Sequence, residues 1–188
     1  MSELENLASR SYKTYKARLK ASERLQARSR AWNACLLSLS VATTIASIAL
    51  LTDARMYGAA GPTLLVCVAV MALVASLVVA SLNYGARSRD MFMNYRRIQR
   101  LSVEAETLLT EDNAPADEVR KLVERYEALL DDSENHTSAD YKLADPGSGL
   151  SGWFPFRAQL LTAVPYIALV VPILIVCPII DWAIRVGQ

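Results

Sequence analysis

The sequence predicts an all-α integral membrane protein, with three transmembrane helices and a cytoplasmic helical bundle or coiled-coil extension. Three observations predict it. First, the 188 residues contain three stretches without Asp, Glu, Lys, Arg or His: Ala31–Thr52, Met56–Ala86 and Ala158–Ile180, of 22, 31 and 23 residues. A helix rises about 1.5 Å per residue, so about 20 residues cross a hydrocarbon core about 30 Å thick. Second, charge is strongly segregated under a formal net charge of +1. Third, the polar segments carry apolar residues at helical spacing.

The apolar content of 53% is only modestly above that of a soluble chain. The distribution decides the class, because buried helices of a soluble core rarely avoid charge on every face for six turns, three times over. A cleavable leader does not fit either. Thirty residues precede the first run, which exceeds a leader core of roughly 7–15 residues.

Residues 1–30 hold eight basic and three acidic groups, and 87–100 hold five Arg against Asp90. Residues 101–145 reverse the balance, with thirteen carboxylates and four basic groups. Lys and Arg close to a span mark its cytoplasmic side. The expected order is therefore a cytoplasmic basic amphipathic helix over 1–30, spans over 31–52 and 56–86, and a cytoplasmic helical hairpin over 87–130. A linker over 131–157, a third span over 158–180 and a short external tail over 181–188 follow. The chain is therefore expected to cross the membrane several times, with its N-terminus on the cytoplasmic side.

Within residues 1–30, Leu4, Leu7, Tyr12, Tyr15, Leu19 and Leu25 form an irregular apolar stripe that runs into the first span. After the second span, Met91, Tyr95, Ile98, Ser102, Ala105 and Leu108 alternate by four and three, a heptad seam with one polar interruption. Pro115 suits the first turn of a second helix, whose buried face is Val119, Leu122, Tyr126 and Leu129. The expected bundle core is Tyr12, Tyr15, Leu19, Tyr95, Ile98, Leu122 and Tyr126. Lys13, Lys16, Arg18 and Lys20 are expected to set register against the acidic region, while apolar seams supply most of the stability.

Inside the first span, Asn33, Ser40, Thr44 and Ser47 share one helical face. They either line an aqueous pore in an oligomer or hold helices together through hydroxyl contacts. Ala69, Ala72, Ser76, Ala80 and Asn83 form a small-residue stripe on the second span, suited to close packing, with Asn83 at a pore mouth or at the interface. Pro165, Pro172 and Pro178 kink the third span, as a hinge or as a fixed bend. Trp153, Tyr166 and Trp182 are placed as interfacial anchors.

The composition speaks against several functions. No ionisable residue lies deep in a span, which argues against proton-coupled transport and charged selectivity rings. Cys35, Cys67 and Cys177 sit in the spans as small apolar residues, and His136, the one histidine, has no cysteine cluster for a metal. Gly147-Ser148-Gly149 lacks the Lys and helix of a phosphate loop. No catalytic residue, cofactor or metal is predicted. The basic clusters adjoin spans, so anionic lipid accounts for them better than nucleic acid does.

Tyr12, Tyr15, Arg18 and Leu19 before Arg30-Ala31-Trp32-Asn33 resemble the opening of SLATT-domain proteins. The second span passing into Arg89, Phe92, Tyr95-Arg96-Arg97-Ile98-Gln99 and Glu104-Ala105 is similar to the same family. Ser133-Glu134-Asn135-His136 and Asp140-Tyr141 resemble a motif of its reverse-transcriptase-associated subgroup. The resemblance covers roughly residues 7–142, with the third span as a departure from a two-span core. It implies a membrane effector of prokaryotic conflict systems, oligomeric and pore-forming or membrane-perturbing, active in abortive infection. The implied partners are a sensor, a nucleotide second-messenger synthase or a reverse transcriptase, beside the lipid bilayer and further copies of the chain. The competing reading is a non-conducting membrane adaptor that anchors or regulates a cytoplasmic defence enzyme through its bundle.

Overall fold

A computed structural model describes residues 3–111, 115–135, 137–145, 147 and 153–186. Its elements are α1 (Glu3–Thr52), α2 (Gly61–Leu82), α3 (Tyr84–Leu109), α4 (Ala116–Asp131), α5 (Ser138–Ala144), α6 (Trp153–Ala168) and α7 (Val170–Val186). No strand occurs among the described residues. Three helical segments, Glu3–Thr52, Gly61–Leu109 and Phe156–Val186, are long and apolar enough to cross a membrane. The chain divides into two compact units, a polar one (residues 1–26 and 85–160) and an apolar one (27–84 and 161–188).

Helix α1 runs unbroken for 50 residues, because no Gly or Pro interrupts it. Its inward residues are Leu4, Leu7, Ser11, Thr14, Arg18, Ala21, Leu25, Arg28, Trp32, Cys35, Leu39, Ala42 and Ala46, all buried or half-buried. The spacing alternates three and four throughout, the 3.5-residue repeat of a helix packed along one seam. The expected stripe through Tyr12, Tyr15 and Leu19 lies to one side of this seam. Tyr12 is exposed, and Tyr15 and Leu19 are half-buried.

In the polar unit, α1, α3 and α4 enclose Leu4, Leu7, Ala8, Ile98, Leu101, Ala105, Leu122 and Tyr126. The α3 seam is the one read from the sequence: Met91, Ile98, Ser102 and Ala105 are buried, and Tyr95 and Leu108 are half-buried. Alanine and serine let α1 and α3 approach closely: Ala17 and Ala21 are fully buried, and the Ser88 hydroxyl donates to the Ser22 carbonyl at 2.9 Å.

Residues 131–157 are not wholly a linker. Ser138–Ala144 forms a helix because Thr137 and Asp140 make a reciprocal capping box that satisfies backbone donors at its start.

In the apolar unit, Ala42, Ala46, Leu65 and Ile175 form the core, with Tyr57 and Ile179 packed against it. The second span begins at Gly61 rather than at residue 56. The preceding turns are fixed by the Asp53 carboxylate accepting from the Arg55 amide at 2.9 Å and by Gly58 at φ +74°. Helix α2 ends at Asn83, which adopts the left-handed conformation at φ 47°, a region that Asn tolerates better than most residues.

The third apolar segment is two helices parted at Leu169. Pro172 has no amide for the carbonyl of residue 168, so the helix restarts at Val170 with Pro172 in its first turn, where no donor is missed.

Gly61 stands against Tyr57: a Cβ there would lie 2.5 Å from the Tyr57 Cβ. Tyr57 donates its hydroxyl to the Ile175 carbonyl at 2.6 Å. Gly61→Ala should push Tyr57 aside and weaken that bond, a loss of about 1–2 kcal/mol readable as a lower midpoint of thermal unfolding in detergent. An unchanged midpoint would show that the turn relaxes freely.

Candidate functional site

The polar unit is organised around buried charge. Arg18 is fully buried and lies on the inward seam of α1. Its guanidinium donates to the Asn94 side-chain carbonyl and to the backbone carbonyls of Leu129 (3.3 Å) and Leu130 (3.4 Å). Asn94 in turn donates its amide to the Leu129 carbonyl at 2.8 Å. These carbonyls belong to the last turn of α4, where helical partners run out and the helix dipole is negative. Arg18 and Asn94 thus cap α4 from two other helices. Burial lowers the Arg18 pKa from its ordinary value, and its Nε has no hydrogen-bond partner among the described residues. The Thr14 hydroxyl pairs with the Tyr126 hydroxyl at 2.8 Å, and the Arg10 guanidinium lies 5.6 Å from the centre of the Tyr126 ring.

A second charged centre fastens α5. Arg24 of α1 makes a two-pronged contact with Asp140, at 2.7 and 2.8 Å. The Asp140 side chain is fully buried and that of Arg24 is 15% exposed. Thr137 adds its backbone amide at 2.9 Å and its hydroxyl at 2.7 Å to the same carboxylate. Burial by itself would raise the Asp140 pKa. The Arg24 and Thr137 hydrogen bonds and the Arg24 charge outweigh it and hold the group below the usual carboxylate range. Four residues before α5, Glu134 meets Arg87 of α3 at 2.8 Å, and this hydrogen bond lowers its pKa. The Ser133-Glu134-Asn135-His136 motif therefore lies where the chain turns from α4 towards α5. His136 itself falls outside the described residues.

The basic face of α1 meets the acidic region through one expected cation, Lys13, and one that was not expected, Arg24. Of the four cations singled out in the sequence, Lys13 reaches Asp145 at 3.6 Å, and Lys20 pairs with Glu23 of its own helix at 2.9 Å. Lys16 lies over the Tyr12 ring at 4.1 Å. Arg18 faces carbonyls, and the partly buried ion pair belongs to Arg24. Spacing alone did not single out Arg24, whereas the Thr137-x-x-Asp140 capping pattern was readable. Of the expected bundle core, Ile98, Leu122 and Tyr126 are buried, Tyr15, Leu19 and Tyr95 half-buried, and Tyr12 exposed.

In the apolar unit, Asn33, Ser40, Thr44 and Ser47 are all exposed. On α1 they lie opposite the packed face of Cys35, Ala42 and Ala46, so they do not pack against helices of the same chain. Thr44 and Ser47 donate to the carbonyls one turn earlier, of Ser40 (2.8 Å) and Thr43 (2.7 Å). Ser76 is half-buried and donates to the Leu73 carbonyl at 2.7 Å, and Asn83 is exposed. Only Gly61 and Leu65 of α2 are buried. Among the described residues no group of three or more His, Cys, Asp or Glu is placed to hold a metal ion.

Fold and site together define a helical membrane protein: three apolar helices able to cross a bilayer, and a polar bundle tied by internal charge. The chain belongs to the SMODS and SLOG-associating 2TM effector domain family 5, whose model matches residues 1–184. This is a family of membrane-associated helical effectors linked to conflict systems. The match extends across α6 and into α7, beyond the expected limit near residue 142, while the family is described by two spans and this chain has three apolar segments. Neither the curated proteins nor the solved structures gave a match.

Proposed function

We propose that the chain is an oligomeric membrane-perturbing effector of a bacterial antiviral system, inserted in the inner membrane with its polar unit in the cytoplasm and silent until a partner sensor engages it. SMODS and SLOG proteins, named in the family description, are the partners we assign to it. A nucleotide second-messenger synthase is the expected trigger, and the reverse transcriptase of the resembling subgroup is the other candidate.

The observation that carries this reading is the outward face of α1. Asn33, Ser40, Thr44 and Ser47 turn away from the helices of their own chain. Against lipid an amide without a partner is costly, whereas against a second copy or an aqueous lumen it is satisfied. Hydroxyls and an amide solvate passing ions without a buried charge, which suits a weakly discriminating pore.

In cells, triggering should collapse the membrane potential, and in liposomes the chain should release trapped dye. Ser40→Leu with Thr44→Leu should reduce release at least about tenfold, the cost of about 1.4 kcal/mol or more on the conducting state, while the chain still inserts. Release equal to wild type would remove these residues from the path. An unchanged potential together with stoichiometric capture of the partner would favour the adaptor reading.

A further inference from the structure

The polar unit presents two exposed stripes of opposite sign, on different helices, in which a single chain pairs only Glu124 among the described residues. On α3, Arg89, Arg96 and Arg100 are exposed and lie opposite the buried Met91, Asn94, Ile98 and Ala105. Spaced by seven and four, they fall within about 40° of arc over about 17 Å of helix. None of the three makes an ion pair among the described residues, whereas Arg87, Arg97 and Arg125 are each matched to a carboxylate. Exposed Phe92 and Met93 stand between them, and exposed Val103 lies three residues beyond Arg100.

On α4, Glu124, Glu127 and Asp131 are exposed and spaced by three and four, within about 60° of arc over about 11 Å. Glu127 and Asp131 make no ion pair among the described residues. Glu124 has only Arg120 at 4.0 Å, and Arg120 is committed to Asp117 at 2.6 Å.

We propose that the arginine stripe of α3 docks on the acidic stripe of α4 in a second copy of this chain. The proposal rests on the oligomeric reading above and names the contact that builds the oligomer. Two different patches meeting make a head-to-tail contact, which repeats from copy to copy and closes into a ring when the rotation allows. Single exposed ion pairs contribute little. The apolar Phe92, Met93 and Val103 supply the contact area, and the charges select partner and register. The acidic stripe is shorter than the basic one, so all three carboxylates fit within its length.

Cross-linking of the full chain in membranes tests the contact, with helicity measured in parallel. Arg96→Glu with Arg100→Glu, and separately Glu127→Arg with Asp131→Arg, should each lose the higher-order species while keeping wild-type helicity. All four substitutions in one chain should restore it. So should an equal mixture of the two double variants, in which each basic stripe again meets an acidic one. Assembly of either double variant at the wild-type level overturns the proposal and leaves the pore reading standing if Ser40→Leu with Thr44→Leu still blocks leakage. Loss of binding to phosphatidylglycerol vesicles in the α3 variant, with assembly unaffected in the α4 variant, would assign the arginines to lipid instead. A wild-type chain that stays monomeric when triggered overturns both readings.

Discussion

Asp140→Ala should release α5 from α1 and destabilise the polar unit by about 3 kcal/mol. The basis is the Arg24–Asp140 contact, in which the carboxylate is wholly buried and the guanidinium nearly so. Removing one partner of such a pair leaves the other charge poorly solvated, which costs about 3–5 kcal/mol. The lower end applies because Arg24 keeps some access to water. The same substitution removes the Asp140 half of the capping box. Hydrogen exchange should then accelerate first across 137–145, before the α1–α3–α4 core is affected. Thr137→Ala should produce the same pattern at about 1 kcal/mol, the worth of a helix cap. Equal exchange in Asp140→Ala and wild type would show that α5 is held by packing alone.

The same carboxylate gives the sign of a pH effect. Its folded pKa lies below its unfolded one, so its stabilisation is fully present above the unfolded value of about 3.9. It is lost as pH falls through the folded value. Protection of α5 should hold from neutral pH down to about pH 5 and fall in stronger acid. In Asp140→Asn that acid-dependent step should be missing.

Arg18→Ala should be of similar size, about 3 kcal/mol, by a different route. A fully buried side chain is truncated, leaving a cavity, and the Leu130 carbonyl loses its side-chain donor while Asn94 still serves Leu129. Arg18→Met restores volume without donors and should fall between wild type and Arg18→Ala in denaturant midpoint. If Arg18→Met matches wild type, packing rather than capping accounts for the arginine.

Much of the fold was legible because its signals are one-dimensional. The three charge-free runs mark the apolar helices, and the alternation from Met91 to Leu108 marks the inward face of α3. The inward face of α1 was hidden because polar residues occupy it, with Ser11 and Arg18 buried and Thr14 half-buried. Counting apolar residues shifted the stripe onto Tyr12, Tyr15 and Leu19, one step around the helix. Arg18 looked like a surface cation because its partners are carbonyls at the end of a helix about 110 residues away in sequence, which no charge pattern records. The opposite sign of α1 and the acidic region did point to contact between them, but which cation is buried depends on register. Helix α5 was missed because a seven-residue element between polar segments carries too little periodicity, although its capping box stood in plain view.

The single seam of α1 also constrains how this protein can change by insertion and deletion. Within the polar unit, one residue gained or lost between Leu7 and Arg18 turns the helix on one side of it by about 100° against the other, carrying Leu4 and Leu7 out of their contacts or Arg18 out of its own. Seven residues restore the phase. The length of this stretch is therefore constrained to change in steps of about seven.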